Sequence, residues 1–208
     1  MTPIIIGLSG KAQAGKDTIA DMLIEIIRKK TKKPASSFHI ANLLKHTAKN
    51  LFSWNGDKEL YEEQDKGRNL LINIGLKMRE IRPTVWIDSL INDILYNKYF
   101  SVIIVPDVRY KTDFDGIIKA GGIVGRVDRQ KGQLDIDNIS EKELDNETFA
   151  FTIINNAKDL KELETIAEAT YEHYIKESFP IIKQWEKEYQ ENLEKDEINF
   201  LRYKKGEK

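Results

Sequence analysis

Near the start of the chain, Gly10, Gly15 and Lys16 fall in the pattern G-x4-G-K, and Asp17 and Thr18 follow directly. A chain of phosphates needs several N–H donors converging on it. Two glycines let the main chain curl into such a nest without a Cβ clash. The backbone from Ala14 to Thr18 would form the cradle, and Lys16 would carry a flexible cation to the outer phosphates. Asp17 stands where the common form of this motif has Ser or Thr to hold Mg²⁺. A carboxylate beside phosphates repels them unless a cation or its own hydrogen bonds compensate. Two roles therefore stay open for Asp17: reaching the metal through water, or a structural place at a helix start. Thr18 offers a hydroxyl one position later. The bland alternative for the whole motif is a Gly-rich turn with no ligand.

A second candidate is Val105-Pro106-Asp107-Val108-Arg109, at the end of an apolar run. In open α/β sheets, ligand groups sit at such strand ends. Asp107 could orient Mg²⁺ or an acceptor, and Arg109 could hold a phosphate by a bidentate fork. An Asp–Arg pair closing a strand end is the plainer reading. Arg68, Arg79 and Arg82 are further cations on the helical stretch before it, and any one of them also reads as a solvated surface residue. Arg126 and Arg129 precede a polar stretch that could close over a nucleotide, where Arg stabilises charge in transfer. Trp86 could stack on a base or belong to the core. His39, His46 and His173 lack the spacing of a catalytic zinc site.

These residues need elements to position them. Ile4 to Leu8 is a short apolar run, the mark of a strand covered on both faces. The Gly-rich segment follows, then a helix with Ile19, Met22, Leu23, Ile26 and Ile27 on one face, ending in basic Arg28-Lys29-Lys30. Strands are predicted at Phe38–Ile40, Val102–Val105, Ile123–Val127 and Phe151–Ile154. Residues 42–98 read as a mainly helical insertion, with Leu43, Leu44, Thr47, Ala48, Leu51 and Phe52 sharing a face and Asn55-Gly56 in a polar loop over 53–65. Thr112 is a candidate cap for a helix closed by Gly121-Gly122. Residues 129–147 read as a mobile lid with a capping-box pattern at Ser140-Glu141-Lys142-Glu143. Leu160, Leu163, Ile166, Ala167, Thr170 and Tyr171 mark one helix face. Ile182, Trp185, Tyr189 and Leu193 mark a charged C-terminal helix docked by a single stripe. Alternating strands and helices predict an α/β fold with a mainly parallel sheet. The expected division is a domain over 1–175 and a C-terminal charged helix over 176–208.

Composition narrows the function classes. The chain has 208 residues, no Cys, and 33 basic against 34 acidic side chains. Absent cysteines exclude a disulfide scaffold, a Cys-based zinc site and a thiol nucleophile. Balanced charge argues against a protein that coats nucleic acid. No stretch approaches the ~20 apolar residues of a membrane span. The N-terminus reads as a strand rather than a signal peptide, so the expected location is the cytoplasm.

Together these residues resemble the bacteriophage-type deoxynucleoside monophosphate kinases, a family of P-loop kinases. The likeness covers most of residues 4–171. It rests on Leu8-Ser9-Gly10 through Gly15-Lys16-Asp17-Thr18, on Phe38 to Lys45, on Leu70-Leu71, Gly75, Arg79 and Trp86, and on Asp107-Val108-Arg109. Gly121-Gly122, Ser140-Glu141, Leu144-Asp145 and Ile153-Ile154-Asn155-Asn156 complete it. Asn42, Leu76-Lys77 and Asn138 depart from the family pattern around the acceptor and lid. The resemblance implies a three-layer fold of P-loop nucleoside-kinase type, with a helical acceptor-binding insertion and a short lid. It implies transfer of the ATP γ-phosphoryl group to a deoxynucleoside 5'-monophosphate, with ATP and Mg²⁺ bound. On it, Lys16, Asp107, Arg109 and Arg129 serve catalysis, and Asp17, Thr18 and Asp107 lie toward the metal. Arg79 with Arg68 takes the acceptor phosphate, Lys45, Trp86 and Arg109 line the acceptor site, and Asn155 and Asn156 lie near the adenine. The partner expected is a small-molecule nucleotide, with neither nucleic acid nor membrane; a homodimer is one option for its assembly. The rivals are another small-molecule P-loop kinase (dephospho-CoA or phosphomevalonate type), a P-loop NTPase module without acceptor, and a structural virion component with a vestigial loop.

Overall fold

The computed structural model describes residues 2–56, 66–129 and 142–205. Residues 57–65 of the expected polar loop, and 130–141 of the expected lid with Asn138, Ser140 and Glu141, lie outside the described residues. Five strands form one all-parallel sheet: β1 (Ile4–Ser9), β2 (Ala35–Ser37), β3 (Val102–Val108), β4 (Ile123–Asp128) and β5 (Phe151–Ile154), in spatial order β2-β3-β1-β4-β5. The chain leaves central β1 toward β2, returns to β3, then crosses to β4 on the other side. That reversal opens a crevice at the carboxyl end of β1, where the Gly-rich segment begins.

Alternation along the strands divides the core in two. Ile4, Ile6, Leu8, Val102, Ile104, Val127, Phe151 and Ile153 face one layer. There α1 (Lys16–Thr31) buries Ile19, Leu23, Ile26 and Ile27 as its periodicity requires. Ile5, Ile103, Val105 and Val124 face the other layer. That second layer contains α4 (Val85–Tyr96) and α5 (Lys111–Lys119). Part of the helical stretch before β3 belongs to this layer. Its α2 (Ala41–Phe52) and α3 (Lys66–Ile81) lead into α4, which buries Trp86, Ile87, Leu90 and Ile94 and is part of the sheet's own cover.

The second strand differs from expectation. Ala35–Ser37 pairs with Val102–Ile104, and residues 38–40 turn into α2 instead of extending. The reason lies across the sheet, where Asp107 accepts the amides of Ile40 and Ala41 and draws the chain into a helix start. β3 runs through Pro106, which falls where the β1–β3 register shifts between the pairs Gly7–Val105 and Ser9–Val108. A proline without an N–H is tolerated in a central strand at such a bulge. On α2, Ala48 is buried but Leu43, Leu51 and Phe52 are exposed, so its predicted apolar face is not fully covered.

After β5, α6 (Leu160–Thr170) widens into a π-helical turn (Tyr171–Ile175) and a short turn (Lys176–Ser178) before α7 (Pro180–Lys205). Tyr171 is fully buried, and its hydroxyl donates to Glu186 of α7 at 2.7 Å. Ile182 and Trp185 join the core beneath α1, while Leu193, expected in the same stripe, is exposed. Among the described residues no helix is long and apolar enough to cross a membrane. The parallel sheet covered by helices on both faces is a three-layer α/β architecture consistent with a P-loop kinase-like fold.

Candidate phosphate-binding site

The segment between β1 and α1 forms a tight curl. Gly10 and Gly15 have φ of 151° and 91°, and Gln13 between them also has a positive φ of 62°. A Cβ at Gly10 would lie 2.2 Å from the Val127 carbonyl oxygen, and one at Gly15 would lie 2.5 Å from Asn155 Nδ2. The two glycines are thus required by conformation and by space. Gly15 caps α1, whose first turn carries Lys16, Asp17 and Thr18 and brings the positive end of its dipole to the curl. The Lys16 side chain is buried and folds back, its Nζ donating to the carbonyls of Gly10 at 2.6 Å and Lys11 at 2.8 Å. Asp17 and Thr18 are both exposed. A glycine-framed nest with a lysine across its mouth fits a phosphate chain.

Neighbouring strands brace this curl. Asn155, at the end of β5, is buried and donates from Nδ2 to the Ala14 carbonyl at 2.8 Å. Its amide is thereby committed to holding the loop, and Asn156 beside it is exposed. Arg129 donates to the Gln13 carbonyl at 3.3 Å, so the residue that opens the expected lid touches the loop. Arg126, on β4, is buried among Asp128 at 3.0 Å, Asp145 at 2.7 Å and the Ser9 hydroxyl at 3.5 Å. Its carboxylate partners compensate a charge that burial would otherwise penalise.

The β3 end is organised by hydrogen bonds to main chain. Both Asp107 oxygens accept backbone amides, from Ile40 and Ala41, each at 2.9 Å. The carboxylate therefore clasps the start of α2, and His39 Nδ1 lies 3.9 Å from it. Arg109 is half-buried in the turn that follows. Arg79, in the last turn of α3, forks onto Asp113 at 3.0 and 3.2 Å and reaches Thr112 Oγ1 at 3.0 Å. Asp113 is 1% exposed, and burial pushes its carboxyl up to about 6 against the pull of Arg79. Sequence reading passed over Asp113 because an acidic residue in a first helical turn is ordinary. Nothing in the sequence marks its pairing with Arg79, which lies 34 positions earlier.

Trp86 is 3% exposed, and its indole N–H donates to the Gly75 carbonyl at 3.2 Å, joining α4 to α3. It also borders a cavity of about 260 Å³ with Phe38, His39, Asn42, Ser89 and Asp93. Lys45 is half-buried on α2, and Arg68 is exposed near the start of α3. Among the described residues, no cluster of three or more His, Asp or Glu side chains is arranged to hold a metal ion.

Searches against protein-family models and curated proteins find no match to this chain. Fold and site together define an α/β protein whose architecture is compatible with a nucleotide-binding domain.

Proposed function

We propose that this protein is a P-loop phosphotransferase that moves the γ-phosphoryl group of ATP to a deoxynucleoside 5'-monophosphate, giving ADP and the diphosphate. The observation that carries the reading is the Gly10–Thr18 curl, with its two obligatory glycines and with Lys16 folded across it. In this reading the amides of residues 14–18 hold the donor phosphates, and Lys16 leaves the Gly10 and Lys11 carbonyls to meet them. Arg129, already against Gln13, screens the charge on the transferring group. Thr18, or Asp17 through water, would hold a Mg²⁺ ion, which would neutralise phosphate charge. Such an ion keeps several waters and takes ligands from the substrate, so a preassembled carboxylate cage is not required.

On the acceptor side, Arg109 supplies the fork for the monophosphate, with Lys45 and Arg68 as outer cations. The cavity beside Trp86, with Asn42 and Asp93 on its wall, offers hydrogen-bonding groups to a base. An acceptor phosphate oxygen is already anionic at neutral pH, so no strong protein base is needed. Asp107, with both oxygens on the α2 amides, acts here by fixing the acceptor-side helix.

The test is ADP release from ATP and Mg²⁺ against a panel of deoxynucleoside and ribonucleoside monophosphates and dephospho-CoA. Release that depends on a deoxynucleoside monophosphate is the expected outcome. Release independent of any acceptor would make the protein an NTPase, and release only with dephospho-CoA would move it to that kinase class.

A further inference from the structure

The geometry points to Arg79 and Asp113 as a positioning pair that sets the Arg109 turn for phosphoryl transfer, rather than to Arg79 as a ligand of the acceptor phosphate. This rests on the kinase reading above and assigns two residues within it.

Both terminal nitrogens of Arg79 are already engaged. Its Nη2 reaches both Asp113 oxygens, at 3.0 and 3.2 Å. Its Nη1 donates to Thr112 Oγ1 at 3.0 Å and to the Pro83 carbonyl at 3.2 Å. The guanidinium carbon stacks 4.0 Å from the centre of the Tyr110 ring. Its side chain is 13% exposed, and that of Asp113 is 1% exposed. A guanidinium that left this nest for a phosphate would strand a carboxylate out of water, a strongly unfavourable exchange. The pair is also nearly neutral as a unit, so it has little field to offer an anion.

The nest does constrain the segment that carries Arg109. Asp113 accepts the Tyr110 amide at 3.2 Å, so the residue after Arg109 is held by the same carboxylate that holds Arg79. Two residues before Arg109, Asp107 is fixed by the amides of Ile40 and Ala41. Arg109 thus sits between two anchors, one at the start of α2 and one in the first turn of α5, where the Asp113 carboxylate is in turn held by Arg79 at the end of α3. Small displacements of a group that positions a reacting phosphate have large effects on rate.

The test compares wild type, Arg79→Lys, Asp113→Asn, the double variant Arg79→Met with Asp113→Asn, and Arg109→Lys. Acceptor-dependent kcat and both KM values are read together with thermal unfolding. Positioning predicts that Arg79→Lys and Asp113→Asn each lower kcat by about 10- to 100-fold and change the acceptor KM less than about threefold. The double variant, which leaves no buried charge unpaired, folds and is no slower than the worse single variant, because the pair acts as one unit. Arg109→Lys, by contrast, raises the acceptor KM. A rise in acceptor KM for Arg79→Lys with Asp113→Asn unaffected would make Arg79 a phosphate ligand and overturn the assignment. Lowered unfolding temperatures with unchanged kcat would leave the pair purely structural and overturn it too. A wild type without acceptor-dependent turnover would overturn the kinase reading and this assignment with it. Turnover in the wild type separates that outcome from the other two.

Discussion

Asp113 is pulled in two directions: burial disfavours its charge, while Arg79 at 3.0 Å favours it. Burial is the larger influence and holds the carboxyl near 6, above the unfolded value of about 3.9. A folded pKa above the unfolded one means that the native state keeps a proton that the unfolded chain has lost. The stabilisation from this group is therefore complete below about pH 4 and is lost as pH rises through about 6. We expect the unfolding free energy of wild type minus that of Asp113→Asn to fall by about 3 kcal/mol across that window and to stay flat above about pH 7. Urea melts at half-unit pH steps measure it. Taking the difference cancels carboxylates that act in the opposite sense, such as Asp88, which the Thr84 hydroxyl and Arg82 hold below its usual value. A difference that rises with pH would mean that Arg79 dominates over burial. Asn155 is a quieter case on the same scale. The resemblance places it near the adenine, and its buried amide is used on the Ala14 carbonyl, inside the loop's own frame.

Among the elements, those with strong periodicity were legible in advance. β1 and α1 follow directly from a covered apolar run and an i, i+3, i+4 stripe, and both lie where the pattern places them. The second strand was not legible, because Phe38-His39-Ile40 has strand composition but is captured by a carboxylate 67 residues away from Ile40. The burial of Trp54 went unread for a related reason, since it follows α2 and is covered by tertiary packing. On α7 the stripe was legible as far as Trp185, and Leu193 shows that the pattern continues past the point where there is a surface to meet it. The docked half of α7 also carries a testable energy. Trp185 is 5% exposed, with the Lys33 ammonium 5.5 Å above its ring. Trp185→Ala should lower the unfolding free energy by about 3–5 kcal/mol and leave nucleotide affinity unchanged, because α7 packs beneath α1 and not at the loop. A loss below about 1 kcal/mol in urea unfolding would mean that α7 is not docked in solution.

At the scale of the whole molecule, sheet order and site belong to one design. The strand order reverses at β1, and the curl that follows it is approached by Val127 of β4, by Arg129 just past β4 and by Asn155 just past β5. The motif was legible because it is local: two glycines and a lysine at fixed spacing carry their own physics. The bracing was not, because Asn155 and Arg129 meet the loop only through the fold, 141 and 116 positions away. The acceptor side was the least legible part. Its cations are spread over α2, α3 and the β3 turn, and which of them is already engaged depends on pairings such as Arg79 with Asp113. Phosphoryl transfer by this protein requires the curl to receive a triphosphate, and calorimetric titration with a non-hydrolysable ATP analogue and Mg²⁺ tests this most directly. The prediction is one equivalent bound by the wild type and affinity lowered at least about tenfold by Lys16→Ala, a loss of about 1.4 kcal/mol. No binding by the wild type, or equal affinity in the two proteins, would contradict it.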